Sequence, residues 1–432
     1  MSILVSPDID QPSPAADPMT PNDRSTPLAC AIVGGGIHGT YLSQRLLEDG
    51  GLDRDEIAIV DPHDRLLESF RRKARACEMD ELRSTFVHHV GTEPFGLESF
   101  AEARDREDEL RPTPGYPRRP SLSLFLDYAD YVIDGNGLDE LHRRAAVETI
   151  RERADGGLVL ETDEGPIRAR HCALAIGHGG RYRVPAWAES VEGIDHVWDG
   201  FDPDEPAAET VVVGGGITAG QLATCLAERE SVTLLARHPF EREITEADPR
   251  WINWNHVASH LHVHPPGSQA RLRVVRDARN DATVPPYVHD RIEAAVDAGR
   301  LTVRRGEVES ARAVDDSVRL VLADGGCLET DRVVLATGFA PVFDHPFVER
   351  VADELGLERG YRGMPVLEDR TLAWRRVDGD PSSVFVTGAL AAGTVGPLAG
   401  NVAGARRAAE RIAATLERRR LDAVAGSNYS IR

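Results

Sequence analysis

Two glycine-rich turns, each set between an apolar strand and a helical pattern, constrain this chain more than any other feature. The first runs from Leu28-Ala29-Cys30-Ala31-Ile32-Val33 into Gly34-Gly35-Gly36-Ile37-His38-Gly39 and a helical pattern through Tyr41, Leu42 and Leu46. The second runs from Thr210-Val211-Val212-Val213 into Gly214-Gly215-Gly216-Ile217-Thr218-Ala219-Gly220 and an alanine-rich helix through Leu222 and Leu226. Strand, tight turn and helix at this glycine spacing suit the pyrophosphate of a dinucleotide. The first glycine permits the turn, the second lets backbone approach the phosphates, and the third lets the helix pack closely on its strand. The helix N-terminus, with its unpaired N–H groups, then meets a dianion. Predicted contacts are Gly34, Gly36 and Gly39 in the first turn and Gly214, Gly216, Thr218 and Ala219 in the second.

The strand after each turn separates the two. The strand 57–60 ends on Asp61, roughly 20 residues past Gly39, where an acid takes ribose hydroxyls. After the second turn, the strand 232–235 ends instead on Ala236-Arg237-His238. Arginine there accommodates a ribose 2′-phosphate that an acid would repel. The endings assign FAD to the first turn and NADPH to the second. Arg237 as an ordinary surface residue of an arginine-rich chain stays open, and His38 reads as a helix-start residue placed by the turn.

A similar pattern comes after both turns. Short strands at 147–150, 158–161 and 166–169 lead into Cys172-Ala173-Leu174-Ala175-Ile176-Gly177, and strands at 318–322 and 327–330 lead into Val333-Val334-Leu335-Ala336-Thr337-Gly338. Each copy ends an apolar strand on small residues, Gly338 among them, which suits a chain passing beneath a dinucleotide. A last strand, beginning at Val384, feeds Gly388, a Gly396-Pro397 turn, Asn401 and a helix from 402 to about 418. Gly388, Gly396 and Asn401 are assigned to the flavin end, where a helix start offers donors to an electron-rich ring. The predicted fold is α/β, with two Rossmann-like dinucleotide-binding domains and the NADPH domain inserted in a discontinuous FAD domain. Expected boundaries are a disordered leader over 1–27, a FAD-binding domain over 28–200 and 331–432, and an NAD(P)H-binding domain over 207–330.

Composition excludes some classes of function. Hydrophobic residues make up 41% of the 432, with no unbroken apolar run of the length that spans a bilayer. A net charge of -21 repels phosphate backbones and argues against nucleic acid as a partner. The five cysteines (Cys30, Cys77, Cys172, Cys225, Cys327) form no C-x-x-C and no metal spacing, so no metal site is predicted. That scatter argues against a dithiol–disulfide reductase and for a reducing, cytoplasmic setting. Lys73 is the single lysine. The hypothesis that acid excess with lysine depletion marks a halophile stands beside a GC-rich genome; indifference of activity and stability to molar salt would sink it. Homo-oligomer formation is left open.

With those residues placed, the chain resembles the two-dinucleotide-binding flavoprotein monooxygenases, which include flavin-containing monooxygenases, Baeyer–Villiger monooxygenases, and ornithine and lysine N-hydroxylases. The resemblance covers most of the chain from Leu28 onward. It rests on both glycine turns, on Ala336-Thr337-Gly338-Phe339 and on residues 388–404. Residues 66–100, with Met79-Asp80-Glu81-Leu82-Arg83-Ser84, resemble the flavin-covering segment of N-hydroxylases, and 120–131 resembles the helix after it. Gly193-Ile194-Asp195-His196-Val197-Trp198 is a shortened form of the family's F-x-G-x-x-x-H fingerprint, which turns the comparison toward the N-hydroxylases.

The resemblance implies FAD reduced by NADPH, a flavin hydroperoxide formed with molecular oxygen, and oxygen transfer to a small nucleophilic substrate such as an amine. Within the stretches it places near the flavin, His88, His89 and His196 are candidate catalytic residues, since histidine handles protons near neutral pH. Asn253, Asn255 and His256, the alternating His260, His262 and His264, and an Arg279-Asn280-Asp281 loop are further candidates with ordinary structural readings. Two other function classes remain: an NAD(P)H:acceptor oxidoreductase without oxygen insertion, and a non-catalytic flavin-binding sensor.

Overall fold

Strands Leu28–Val33 and Ile57–Asp61 are buried at every position, so both need cover on two faces, as parallel strands inside an α/β layer have. The computed structural model describes residues 26–154 and 156–429 and supplies that cover. The leader expected over 1–27 lies, up to position 25, outside the described residues. Leu28–Val33 sits between Ile57–Asp61 and Ile167–Leu174, parallel to both. Ile57–Asp61 continues to His142–Arg144, and Ile167–Leu174 continues to Pro381–Val386 and its antiparallel neighbour Ala373–Arg375. The hairpin Val147–Glu152 and Leu158–Thr162 completes eight strands by pairing onto Ile167–Leu174. The segments expected at 166–169 and 172–174 are thus one strand. Leu158 opposes Ala169 on its hairpin edge, while Cys172 pairs with Ala31.

The second sheet is all-parallel, in the order Leu301–Arg305, Ser231–Ala236, Glu209–Val213, Arg332–Leu335, Ile194–His196. Helices Ile217–Leu226 and Pro286–Asp297 pack together over it, closing a core of Val212, Leu222, Leu234, Val288, Ile292 and Val334. Boundaries drawn at 200 and 331 place Ile194–His196 and Arg332–Leu335 with the first sheet; backbone pairing places both in the second. The reason is that Val333 and Val334 are buried and lie in register with Val211 and Val212, which need a neighbour on that side. A three-stranded antiparallel sheet, Val308–Val314, Ser317–Leu322 and Cys327–Thr330, lies between Leu301–Arg305 and Arg332–Leu335 in sequence.

The C-terminal helix runs Val402–Tyr429, longer than the pattern suggested, and packs along helix Ile37–Glu48. The last described helix therefore rests on the helix of the first glycine turn. Among the described residues no helix is long and apolar enough to cross a membrane.

Candidate functional site

The first turn is built by close approach. Gly34 has φ +111°, and a Cβ there would stand 2.5 Å from the Ala175 carbonyl oxygen. A Cβ on Gly39 would stand 1.9 Å from the Gly34 carbonyl, so only glycine lets this helix meet its strand. Gly36 is different: nothing lies within 4 Å of its Cβ position. It caps helix Ile37–Glu48 without any side-chain hydrogen bond, which leaves first-turn N–H groups free beside that open space. The arrangement fits a pyrophosphate.

Around this turn the side chains are largely committed. Asp61 is buried; its Oδ2 accepts the Gly35 N–H at 2.7 Å and its Oδ1 accepts the His63 N–H at 2.9 Å. The acid expected to take ribose hydroxyls therefore braces the turn: Oδ1 also lies 2.7 Å from His63 Nδ1, which leaves a lone pair on Oδ2. Leu67 N–H donates to the Gly35 carbonyl at 2.8 Å and starts helix Glu68–Ala76, which carries Lys73. Lys73 donates to Ser69 Oγ, and burial lowers its pKa while the Asp61 charge opposes that shift. No sequence signal singled Lys73 out beyond its being the sole lysine.

The second turn is built in the same way. Gly214 donates to the Leu235 carbonyl at 3.0 Å, and a Cβ on it would meet the Ala219 methyl at 2.9 Å. Ala219 thus stands where Gly39 stands in the first turn. A Cβ on Gly220, one residue on, would stand 2.8 and 3.0 Å from the Val288 and Ile292 side chains, so glycine lets the helix Pro286–Asp297 close. Gly216 caps helix Ile217–Leu226 with no side-chain bond, and Thr218 is half-buried on that first helical turn. Arg237 is exposed at the end of Ser231–Ala236 and has no hydrogen-bond or ion-pair partner among the described residues.

The C-terminal segment meets the first turn. His38 Nδ1 lies 2.8 Å from Thr387 Oγ1, and its buried Nε2 has no hydrogen-bond partner of good geometry although it faces the Gly400 and Asn401 backbone. Burial pushes its pKa down to about 4. Gly388 has φ +75° and backs onto Gly177 and His38; Gly396 has φ +98° and packs on Trp251. Gly338, with φ +82° and open space at its Cβ position, comes just after Arg332–Leu335.

A narrow cleft opens next to this segment. Arg83, Thr85, His88, Tyr116, Glu246 and Asn401 line it, with Ile252 and Leu398. Arg83 donates to the carbonyls of Glu243, Ile244 and Thr245 and to Thr283 Oγ1, at 2.7 to 3.0 Å. Burial and the Glu246 charge raise the pKa of Tyr116. The Glu246 carboxylate accepts no hydrogen bond among the described residues, which makes it the uncommitted acid of the cleft. No motif surrounds Glu246 in the sequence; it reaches the cleft only through the loop 241–248.

The three candidate histidines separate. His88 lines the cleft, with its pKa pushed down to about 4 by burial and then by Arg406 and Arg407. His89 is spent on structure: Nδ1 accepts the Gly91 N–H at 3.2 Å, Nε2 faces the Pro94 carbonyl at 3.3 Å, and the ring meets Tyr128 edge-on. His196 belongs to the second sheet and is absent from the cleft lining; its ring stacks on Tyr182 at 4.8 Å in a cluster with Trp198 and Phe339.

Among the further candidates, Asn253 caps helix Trp254–His260, and His256 packs on Trp251. The run 260–264 is a helix end and turn, not a strand, because Leu261 N–H and His264 N–H close helical and turn bonds to Val257 and Leu261. His262 Nε2 is held by the Thr394 carbonyl at 2.7 Å.

Comparison with known proteins agrees with this architecture. A model of the FAD-NAD(P)-binding family matches residues 31–179 and 211–340, well over half of the chain and both glycine turns. A ferredoxin–NADP reductase of Paracidovorax citrulli (strain AAC00-1) is 31% identical over 216 residues, which are 47% of this chain and 51% of that protein. The chain thus spans about half the length of that relative. The ornithine hydroxylase of Pseudomonas aeruginosa superposes with a TM-score of 0.70 at 18% identity, covering 91% of this chain and 99% of that one. The L-lysine 6-monooxygenase of Pseudomonas syringae gives 0.67 at 19%, covering 90% and 99%, and a flavin-containing monooxygenase of Stenotrophomonas maltophilia gives 0.60 at 18%, covering 91% and 98%. At these identities the likeness is one of fold. Two strand–turn–helix units whose helix starts carry no side-chain cap, matched in both halves by one family model, make this chain a member of the FAD-NAD(P)-binding family.

Proposed function

We propose that the protein is an NADPH-dependent flavin monooxygenase that oxygenates a small nucleophile such as an amine. One observation carries this reading: the cleft beside the C-terminal turn holds an uncommitted carboxylate, Glu246, next to a segment that also touches the first nucleotide turn through His38 and Thr387. FAD is assigned to Gly34, Gly36, Gly39 and Asp61, with Gly388, Gly396 and Asn401 at its flavin end and Gly338 beneath. NADPH is assigned to Gly214, Gly216, Thr218, Ala219 and Arg237. The FAD-binding part is 28–200 with 331–432, less the two strands that pair into the second sheet, and the NADPH-binding part is centred on 207–330.

The flavin supplies the electron chemistry when bound, drawing hydride from NADPH and activating oxygen. The chain's own residues bind, orient and exclude water. Unpaired N–H groups of the two helix starts hold the pyrophosphates. Glu246 holds a cationic or amine group at the cleft, and Ile252 and Leu398 keep that end dry. Neutral His88 is placed to exchange a proton with the amine. The test is oxygen consumption by the FAD-loaded protein with NADPH and a series of small amines. Product carrying one added oxygen per NADPH supports the proposal; NADPH oxidation yielding only peroxide for every amine counts against it.

The ferredoxin–NADP reductase match favours a second reading, electron transfer to an acceptor without oxygen insertion. Anaerobic NADPH oxidation that proceeds only with an added one-electron acceptor selects it.

A further inference from the structure

The two turns differ in what stands in front of them. At Gly36 the space is open, whereas at Gly216 the Cα of Ala282 lies 3.6 Å from where a Cβ would stand. Ala282 has φ +56°, a conformation that L residues rarely adopt. It belongs to the loop 279–284, which is laced to the loop 241–247. Asn280 N–H donates to the Glu246 carbonyl at 2.8 Å, its side-chain amide to the Thr245 carbonyl at 2.9 Å, and Val284 N–H to the Glu241 carbonyl at 2.8 Å. Arg83 clasps the pair by bonding Thr283 Oγ1 together with the Glu243 and Thr245 carbonyls.

The other end of this loop reaches the C-terminal turn. Arg279 Nη1 donates to the Pro397 carbonyl at 2.7 Å and to Asn401 Oδ1 at 3.4 Å, while its Nε pairs with Asp281 at 2.7 Å. One guanidinium thus joins the loop before the second nucleotide turn to the segment that lines the cleft and meets the first turn. The planar fork suits this, since separate nitrogens address separate acceptors in fixed directions.

We propose that residues 279–284 form a strap across the second nucleotide turn, and that Arg279 is a positioning residue that transmits dinucleotide occupancy there to the 397–401 turn beside the flavin cleft. The inference rests on the second turn being the NADPH site. A pyrophosphate at the start of helix Ile217–Leu226 lies against the Ala282 backbone, so the strap shifts when the site fills. A shift at Ala282 moves Arg279, two bonds of which end on Pro397 and Asn401. The arrangement would tell the flavin end when hydride donor is present.

The test uses the FAD-loaded protein and NADP+, without oxygen or amine substrate, so it does not depend on oxygenation. NADP+ is expected to alter amide hydrogen exchange in both 279–284 and 397–401 and to perturb the absorbance of the bound flavin. Arg279→Ala is expected to bind NADP+ by calorimetry yet to lose the flavin perturbation and the change at 397–401. Arg279→Lys, which keeps the charge but not the fork, is expected to show the same loss and serves if the alanine variant does not fold. Exchange at 279–284 that ignores NADP+, or a flavin perturbation that survives in the variants, overturns the strap. Absence of NADP+ binding to the natural protein overturns the strap together with the NADPH assignment. Absence of oxygenated product, with these readouts intact, overturns only the oxygenase reading.

Discussion

His38 and Thr387 lie 349 residues apart and meet side chain to side chain at 2.8 Å inside the protein. One stands on the first helical turn after the glycines and the other leads into Gly388, so this contact closes the discontinuous half of the chain. Thr387→Val leaves a buried ring nitrogen without a partner and is expected to cost about 1–3 kcal/mol. Thr387→Ser, which keeps the hydroxyl, is expected to cost less. Denaturant unfolding of the two variants decides; equal midpoints would show that the bond does not hold the halves.

Acid should unfold this protein through its histidines. Burial holds His38, His88, His89, His171, His178 and His196 down to about 4 in the folded chain, against an ordinary value of 6.5. The unfolded chain therefore binds more protons between those values, and stability present above pH 6.5 is lost progressively as pH falls toward 4. Unfolding midpoints measured from pH 7 to pH 4 should fall, with net proton uptake on unfolding. A flat profile through pH 5 would contradict the buried, neutral state of these rings.

The glycines of the first turn should divide into two kinds. Gly39→Ala drives a methyl into the Gly34 carbonyl and is expected to destabilise the fold by roughly 1–3 kcal/mol or more. Gly36→Ala meets no protein atom, so the fold should keep its melting temperature while the purified protein loses FAD. Flavin absorbance per protein together with thermal denaturation separates the two effects.

Arg237→Ala should leave stability unchanged within about 0.5 kcal/mol, because the side chain is exposed and has no partner among the described residues. Its loss should raise the KM for NADPH by roughly 10-fold or more, the worth of a charge-assisted bond, and leave NADH unaffected. Equal effects on both coenzymes would place the 2′-phosphate elsewhere.

Glu246→Gln preserves size and removes the uncommitted charge of the cleft. It should raise the KM for amine substrates by roughly 10-fold, on the scale of a charged hydrogen bond, with FAD content unchanged. An unchanged amine KM would remove Glu246 from substrate binding.

Local features are the ones legible in the amino-acid sequence. The two strand–turn–helix units could be read there because glycine is required where backbone crowds backbone at Gly34 and Gly39, and because strands buried on both faces carry uninterrupted apolar runs. The family came with those units. The sharing of strands between sheets emerged only in three dimensions: Ile194–His196 and Arg332–Leu335 flank the boundaries expected from the sequence, yet pair in register with each other and with Glu209–Val213. The histidines, too, parted only in the folded chain, since a ring spent on two backbone groups, as at His89, and a ring lining a cleft, as at His88, look alike in sequence. Asp61 and Glu246 make the same point in opposite directions: the acid marked by its motif is held by the turn it succeeds, and the acid without a motif is left free. The physical reason lies in reach along the chain: turn sterics act over a few neighbouring residues, whereas these strand pairings and the lining of the cleft bring together chain more than about a hundred residues apart, which no local pattern records.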